Sequence, residues 1–211
     1  MKCAAQDVDR FEETLEAYDA VAIEYQATWR DRRPMDAVRR FAGIAGRGAR
    51  VCDIACGPAL DLRYLRDHGL KVVAGDLSWS SMRLGKTLFP KGSLACWDYR
   101  RLPFGDRAFD GMWAPAALQH LPRAQIRAAL GEVRRVHGRG PIFLTFREGS
   151  TDLAVVDDPP AGRVWAIAVT TAELYALLLD AGYTDVEVEQ RPDPLGRPDV
   201  TWLYGWGMAP A

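Results

Sequence analysis

Two carboxylates and a run of small residues carry the clearest chemistry in this sequence. Asp53-Ile-Ala-Cys-Gly57 joins a buried-strand pattern, Arg50 to Ile54, to a turn of Ala55, Cys56, Gly57, Pro58 and Ala59, with a helix starting near Leu60. Small side chains let backbone amides approach a ligand, and a helix N-terminus brings the positive end of its dipole to a carboxylate or phosphate. Further on, a second apolar run, Lys71 to Asp76, ends in an acid. A carboxylate at the end of such a strand accepts hydrogen bonds from both hydroxyls of a ribose. Two such strand ends, side by side, describe a nucleoside-binding crevice.

Ligands of open α/β sheets bind beyond the carboxyl ends of the strands. That rule points to Trp113, Gln119 and His120 after a fourth apolar run, and to Arg147, Glu148 and Trp165 on or after a fifth. His120 is the candidate base, because imidazole titrates near neutral pH; its other reading is to order the loop before Leu121-Pro122. Glu148 either binds a cationic amine or pairs with Arg147 or Arg163. His68 and His137 stand beside glycines at helix ends, as caps or solvent-exposed residues. The cluster Arg30, Arg32, Arg33, Arg39 and Arg40 reads as a solvated linker and helix face, or as a lure for an acidic substrate. Seven tryptophans exceed what a core of this size needs, so some could line an aromatic pocket.

The elements that position these residues follow from periodicity. Apolar side chains at Phe11, Leu15, Tyr18, Ala22 and Tyr25 predict an amphipathic helix from about Val8 to Trp29, and Pro34 starts a second, Met35 to Ile44. Then come the first strand, a helix Leu60–His68, the second strand, and a helix from Ser78 to about Leu88. A short strand Ser93–Trp97, a strand Phe109–Ala114, a helix Arg123–His137 and a strand Pro141–Phe146 complete the alternation. Each parallel crossover needs a returning segment, so the pattern predicts a doubly wound sheet with helices on both faces. Residues 147–165, rich in Gly, Asp and Pro, read as a loop or lid. A helix Thr171–Ala181 precedes two β-rich runs, Thr184–Arg191 and Val200–Met208, expected as an antiparallel pair. One domain over 1–211 suffices.

The charge balance, 27 basic against 28 acidic residues, favours neither nucleic acid nor an anionic membrane. Cys3, Cys52, Cys56 and Cys96 lack metal-site spacing and read as reduced core thiols of a cytoplasmic protein. There is no apolar segment long enough for a membrane span.

In order and spacing these motifs resemble the class I S-adenosylmethionine-dependent methyltransferases. Asp53-Ile-Ala-Cys-Gly57 is similar to the family's first motif, and Gly75-Asp76-Leu77-Ser78 with Met82 to the second. Asp98 with Leu102-Pro103-Phe104, and then Phe109-Asp110, resemble the third and fourth. The resemblance implies an α/β Rossmann-like sheet of seven strands in the order 3-2-1-4-5-7-6, the seventh antiparallel, with N-terminal helices in 1–48 covering the cofactor. It implies that Ala55, Cys56 and Gly57 flank the methionine part of S-adenosylmethionine, with Asp53 in the same motif. Asp76 would hold the ribose, Leu77 pack on adenine, and Asp98 and the Tyr99 amide meet the adenine edge. Ala114 would lie under the sulfonium arm, and Tyr18 and Tyr25 would close over the cofactor. The demethylated product would be S-adenosylhomocysteine.

One departure is that Ala55 and Ala59 stand where the family usually has glycine, and alanine at a positive-φ turn costs energy. Trp113-Ala-Pro-Ala replaces the Asn- or Asp-Pro-Pro-aromatic run of amino-group methylases of bases or glutamine, and no Pro-Cys pair is present. The expected acceptor is therefore a small molecule or short peptide, bound by a monomer or homodimer. Two other readings stand beside methyl transfer: a cofactor-binding fold used for a non-methylating reaction, and a non-catalytic partner protein.

Overall fold

The computed structural model describes residues 2–210, with side chains from Arg10 onward. Its elements are α1 (Lys2–Ala20), α2 (Ala22–Trp29), α3 (Met35–Ala45), β1 (Arg50–Asp53), α4 (Leu62–Asp67), β2 (Lys71–Asp76), α5 (Trp79–Leu88), β3 (Ser93–Cys96) and β4 (Gly111–Ala114). There follow a 3-10 turn (Leu118–His120), α6 (Arg123–Val136), β5 (Gly140–Glu148), β6 (Ala154–Asp158), β7 (Gly162–Ala166), β8 (Ala168–Val169), α7 (Thr171–Asp180), β9 (Thr184–Pro192) and β10 (Thr201–Ala209).

The main sheet runs β3-β2-β1-β4-β5-β10-β9, with β10 antiparallel to both of its neighbours. This is the expected strand order; the two-residue β8 adds an eighth strand on the edge of β5. Alternation along each strand divides two cores. Cys52, Met112, Ile142 and Leu144 face α6 and α7, through Ile126, Leu130, Val133, Leu174 and Leu178. Val51, Val72, Trp113 and Phe143 face α3, α4 and α5, through Val38, Phe41, Leu62, Leu65 and Met82. Local signals set several helix starts: Ser78 Oγ accepts from the Ser81 amide at 3.1 Å, and Thr170 Oγ1 from the Glu173 amide at 3.2 Å.

Three expectations need correcting. The single N-terminal helix is broken at Val21 into α1 and α2. Residues 147–165 are no open loop: β6 and β7 form an antiparallel ribbon whose turn holds Pro159 and Pro160. Its residue Trp165 donates its amide to Thr14 Oγ1 at 3.0 Å, and Trp29 Nε1 donates to the Pro159 carbonyl at 3.1 Å. The ribbon is thereby stitched to α1 and α2. Finally, Cys52 and Cys56 are buried thiols, but Cys96 is exposed, so it is no core residue; the Cys3 side chain lies outside those described. Among the described residues, no helix is long and apolar enough to cross a membrane, and no His, Cys, Asp and Glu group could hold a metal ion.

Candidate functional site

The carboxyl ends of β1, β2 and β4 open onto a cavity roofed by α1, α2 and the β6–β7 ribbon. Asp53, Ala55, Cys56, Gly57, Asp76, Leu77, Tyr99, Tyr18, Tyr25, Gln119 and His120 all line it. At the bend after β1, Gly57 sits at φ 53° and its amide donates to Asp76 Oδ2 at 2.8 Å, while Asp76 Oδ1 accepts the Ser78 amide at 2.9 Å. Each carboxylate oxygen thus keeps a lone pair for a further donor. Burial pushes the Asp76 carboxyl above its ordinary range, opposed by the Ser78 and Gly57 amides. Position 75 must be glycine for this strand end to form: a Cβ there would lie 2.4 Å from the Trp97 ring, whose Nε1 donates to the Ile54 carbonyl.

Asp53 is nearly inaccessible, and neither of its oxygens has a hydrogen-bond partner among the described residues. The Ala55 amide approaches without completing one. Burial first, then Asp61 and Asp76, raise its pKa well above the usual carboxylate range, against the pull of Arg33. An unpaired buried carboxylate costs free energy in the empty protein, and a cationic or donor group of a ligand relieves that cost. Of the two alanines that replace glycines, Ala59 does adopt the left-handed conformation, at φ 62°. Its methyl is fully buried and packs toward Gly85 of α5. The bend is therefore kept, with strain of about 1–2 kcal/mol offset by packing.

Opposite the bend, four polar side chains are interlocked. Tyr18 donates its hydroxyl to Asp158 Oδ2 at 2.6 Å, and Arg147 Nη2 donates to Asp158 Oδ1 at 2.7 Å. Both members of that ion pair are buried. Desolvation raises the Tyr18 pKa, with Asp158 reinforcing it, so the phenol stays protonated. His120 Nδ1 lies 2.9 Å from the Trp165 carbonyl, and Nε2 lies 3.3 Å from the Tyr18 hydroxyl. A carbonyl only accepts, so Nδ1 carries the proton and Nε2 presents a lone pair. Burial lowers the His120 pKa, which keeps the ring neutral.

Several expected site residues lie elsewhere. Trp113 is fully buried on the α3 side of the sheet, stacked on Phe143 with centroids 4.5 Å apart and donating Nε1 to Asp61 Oδ2 at 2.8 Å. Ala114 is buried in β4, and the wall is made by Pro115, Ala116 and Ala117 just beyond it. Asp98 is not on the cavity wall; Arg100 grips both its oxygens, at 2.9 and 3.0 Å from Nε. Arg147 acts behind the wall through Asp158. Glu148 accepts from Gln190, and the Trp165 indole points to Glu13 at 2.7 Å with Arg10 over its ring, so only its carbonyl serves the site. His137 is buried against Tyr183, at 3.3 Å, and is no surface cap.

Other wall residues were not singled out by sequence: Asp61, Thr145, Asp158 and Tyr204. Arg33, read above as one of a surface cluster, grips Asp61 in two bonds of 2.7 and 2.6 Å. Asp61, eight positions after Asp53 in the same motif, was the one signal available. Of the tryptophans, only Trp29 and Trp202 line the cavity.

The residues fit an adenosyl ligand at the bend and the β2 end, but not at Asp98. Residues 51–140 match the family model of a methyltransferase domain. The chain is 32% identical over 133 residues to a demethylmenaquinone methyltransferase of Renibacterium salmoninarum, covering 60% of this chain and 55% of that protein. It thus spans about half the length of that relative. In fold it is similar to 1,6-didemethyltoxoflavin-N1-methyltransferase of Burkholderia thailandensis, solved with 1,6-didemethyltoxoflavin and S-adenosylhomocysteine bound. That likeness has a TM-score of 0.77 at 20% identity, over 97% of this chain and 91% of that one. It is also similar to the [4+2]-cyclase SpnF, with a TM-score of 0.68 at 19% identity, over 85% and 82%.

Proposed function

We infer, from a chain whose residues 51–140 match the model of a methyltransferase domain and whose fold resembles that of known methyltransferases, that the protein transfers a methyl group from S-adenosylmethionine to a small-molecule acceptor. The observation that carries this reading is the unpartnered Asp53 carboxylate, buried on the cavity wall beside the Gly57 bend and Asp76. Asp53 suits the cationic amino group of the cofactor's methionine arm, and Asp76 keeps lone pairs for the ribose hydroxyls. Leu77 and Tyr99 offer apolar surface to the base. When bound, the cofactor supplies a methyl group already activated by its sulfonium.

What remains for the protein is alignment and proton management. Tyr18, Tyr25 and Trp29 shield the cavity from water. His120, held by the Trp165 carbonyl, takes a proton from the acceptor on Nε2. The new N–H then faces the Tyr18 oxygen 3.3 Å away, whose own proton is committed to Asp158. Methyltransferase relatives and a net charge of −1 support a small-molecule acceptor over nucleic acid, and the free thiols Cys52, Cys56 and Cys96 suit the cytoplasm.

The likeness to a [4+2]-cyclase keeps a non-methylating reaction as the second reading. The Ala59 bend is compatible with both readings, since each needs the cofactor bound. Incubation with S-adenosylmethionine and a mixed acceptor extract, followed by mass spectrometry, separates the two. Transfer yields products heavier by one CH2 together with S-adenosylhomocysteine; tight cofactor binding without either supports the second reading.

A further inference from the structure

On the wall formed by Tyr18, Gln119 and His120 the Tyr18 and His120 protons are engaged, while Gln119 Oε1 has no partner among the described residues and His120 Nε2 has only long contacts. Tyr18 gives its proton to Asp158 at 2.6 Å. His120 gives its Nδ1 proton to the Trp165 carbonyl at 2.9 Å. Gln119 turns its Nε2 toward His120 Nε2, 3.5 Å away, and this orientation follows from chemistry, because a neutral imidazole nitrogen without a proton needs a donor. The other end of the same amide, Gln119 Oε1, then has no partner among the described residues. Gln119 is only 1% exposed and lies on the cavity wall. The Gln119 carbonyl accepts from the Ile167 amide at 2.8 Å, so the backbone that carries the side chain is fixed as well.

A buried carbonyl oxygen left unsatisfied costs about 1–3 kcal/mol, and such a cost is retained where a ligand supplies the missing donor. Here the open positions are Gln119 Oε1, which has no partner among the described residues, and His120 Nε2, whose 3.5 Å contact with Gln119 Nε2 is at the limit of a hydrogen bond and yields to a closer donor. Their complement is one group with two donors. An amino group has two N–H bonds; a hydroxyl has one. The surrounding wall of Phe11, Tyr18, Tyr25, Trp29 and Pro115 is apolar and largely aromatic, which suits a flat ring. An amine attached to such a ring is neutral near pH 7 and keeps its nucleophilic lone pair.

We propose that the acceptor is an aromatic or heteroaromatic amine whose NH2 group is read by Gln119 Oε1 and His120 Nε2, so that transfer occurs to nitrogen. This rests on the methyltransferase reading and names its substrate class. The nitrogen lone pair forms the new N–C bond as the C–S pair leaves with sulfur. One N–H proton then passes to His120 Nε2, while the second N–H stays on the product nitrogen, hydrogen-bonded to Gln119 Oε1.

The test is calorimetric binding to the full chain saturated with S-adenosylhomocysteine, using the isosteric probes 2-naphthylamine and 2-naphthol. The amine is expected to bind about tenfold tighter, the worth of one buried hydrogen bond. In Gln119→Met, which preserves side-chain volume, that ratio should fall to about one with naphthol affinity unchanged. Equal or tighter naphthol binding in the wild type, binding of neither probe, or a ratio unchanged in Gln119→Met overturns the proposal. The wild-type ratio decides by itself if the variant does not fold. Saturation with S-adenosylhomocysteine is measured first, and its failure sinks the methyltransferase reading separately.

Discussion

Asp53 and His120 show how burial does opposite things to two groups that must each be ready for a ligand. The raised pKa of Asp53 means that its stabilising contribution is present below its unfolded value of about 3.9 and is lost as pH rises. At pH 7 the carboxylate therefore works against the empty fold. Asp53→Asn is expected to raise the melting temperature of the ligand-free protein by roughly 2–4 °C, for about 1 kcal/mol, while weakening S-adenosylhomocysteine binding; paired thermal melts with and without ligand check both signs. His120 has its pKa lowered, by burial first and then by Arg147, against the Trp165 carbonyl and Asp158. Its base form persists above that depressed value, so turnover should fall only as pH drops below the ordinary imidazole value of about 6.5. His120→Gln should cost about 100-fold or more in kcat and abolish that acid limb, as a pH-rate profile would show. Of these residues, Asp53, Gly57, Asp76 and His120 were legible because type and spacing mark them. Trp113 was misplaced because a residue's face depends on strand register, which composition does not reveal, and Asp98 because Arg100, two positions on, folds back on it.

The β6–β7 ribbon was the element hardest to see in advance. Its strands are five residues each, and the Asp-Asp-Pro-Pro run between their apolar stretches has the composition of a loop. The pattern Ala-Val-Val before the turn and Arg-Val-Trp-Ala after it was the available signal for a hairpin. By contrast, β2 and α5 were read closely, since an apolar run ending in an acid marks the strand and a serine cap marks the start of the helix. The ribbon's tie to the site is the buried Arg147–Asp158 pair. Removing one partner of such a pair leaves an uncompensated charge, so Asp158→Ala should destabilise by about 3–5 kcal/mol. Adding Arg147→Met should restore most of that loss. Urea unfolding of the two single variants and the double variant measures the coupling; additive effects would show that the pair does not hold the ribbon in place.

At the scale of the whole molecule, one sheet with a core on each face leaves its strand ends free to build the cavity, and stability has an acid limit of its own. Burial holds the His137 pKa down at about 4, with Arg134 lowering it further, and a backbone hydrogen bond at Arg139 and the charge of Asp110 opposing. The unfolded imidazole binds its proton near 6.5, so this contribution is intact above that value and is lost as pH falls from 6.5 toward 4. Urea midpoints should decline over that window, and His137→Gln should flatten the decline. Alternation made the parallel, doubly covered sheet legible and the family resemblance supplied its strand order; the roof was not legible, because it depends on contacts between α1, α2 and residues about 140 positions away, such as Tyr18 with Asp158. The central claim is that Asp53, the Gly57 bend and Asp76 form one cofactor site, and calorimetric titration with S-adenosylhomocysteine tests it most directly. The account predicts saturable one-to-one binding that Asp76→Ala weakens at least tenfold; no binding in the wild type, or equal affinity in the variant, would contradict it.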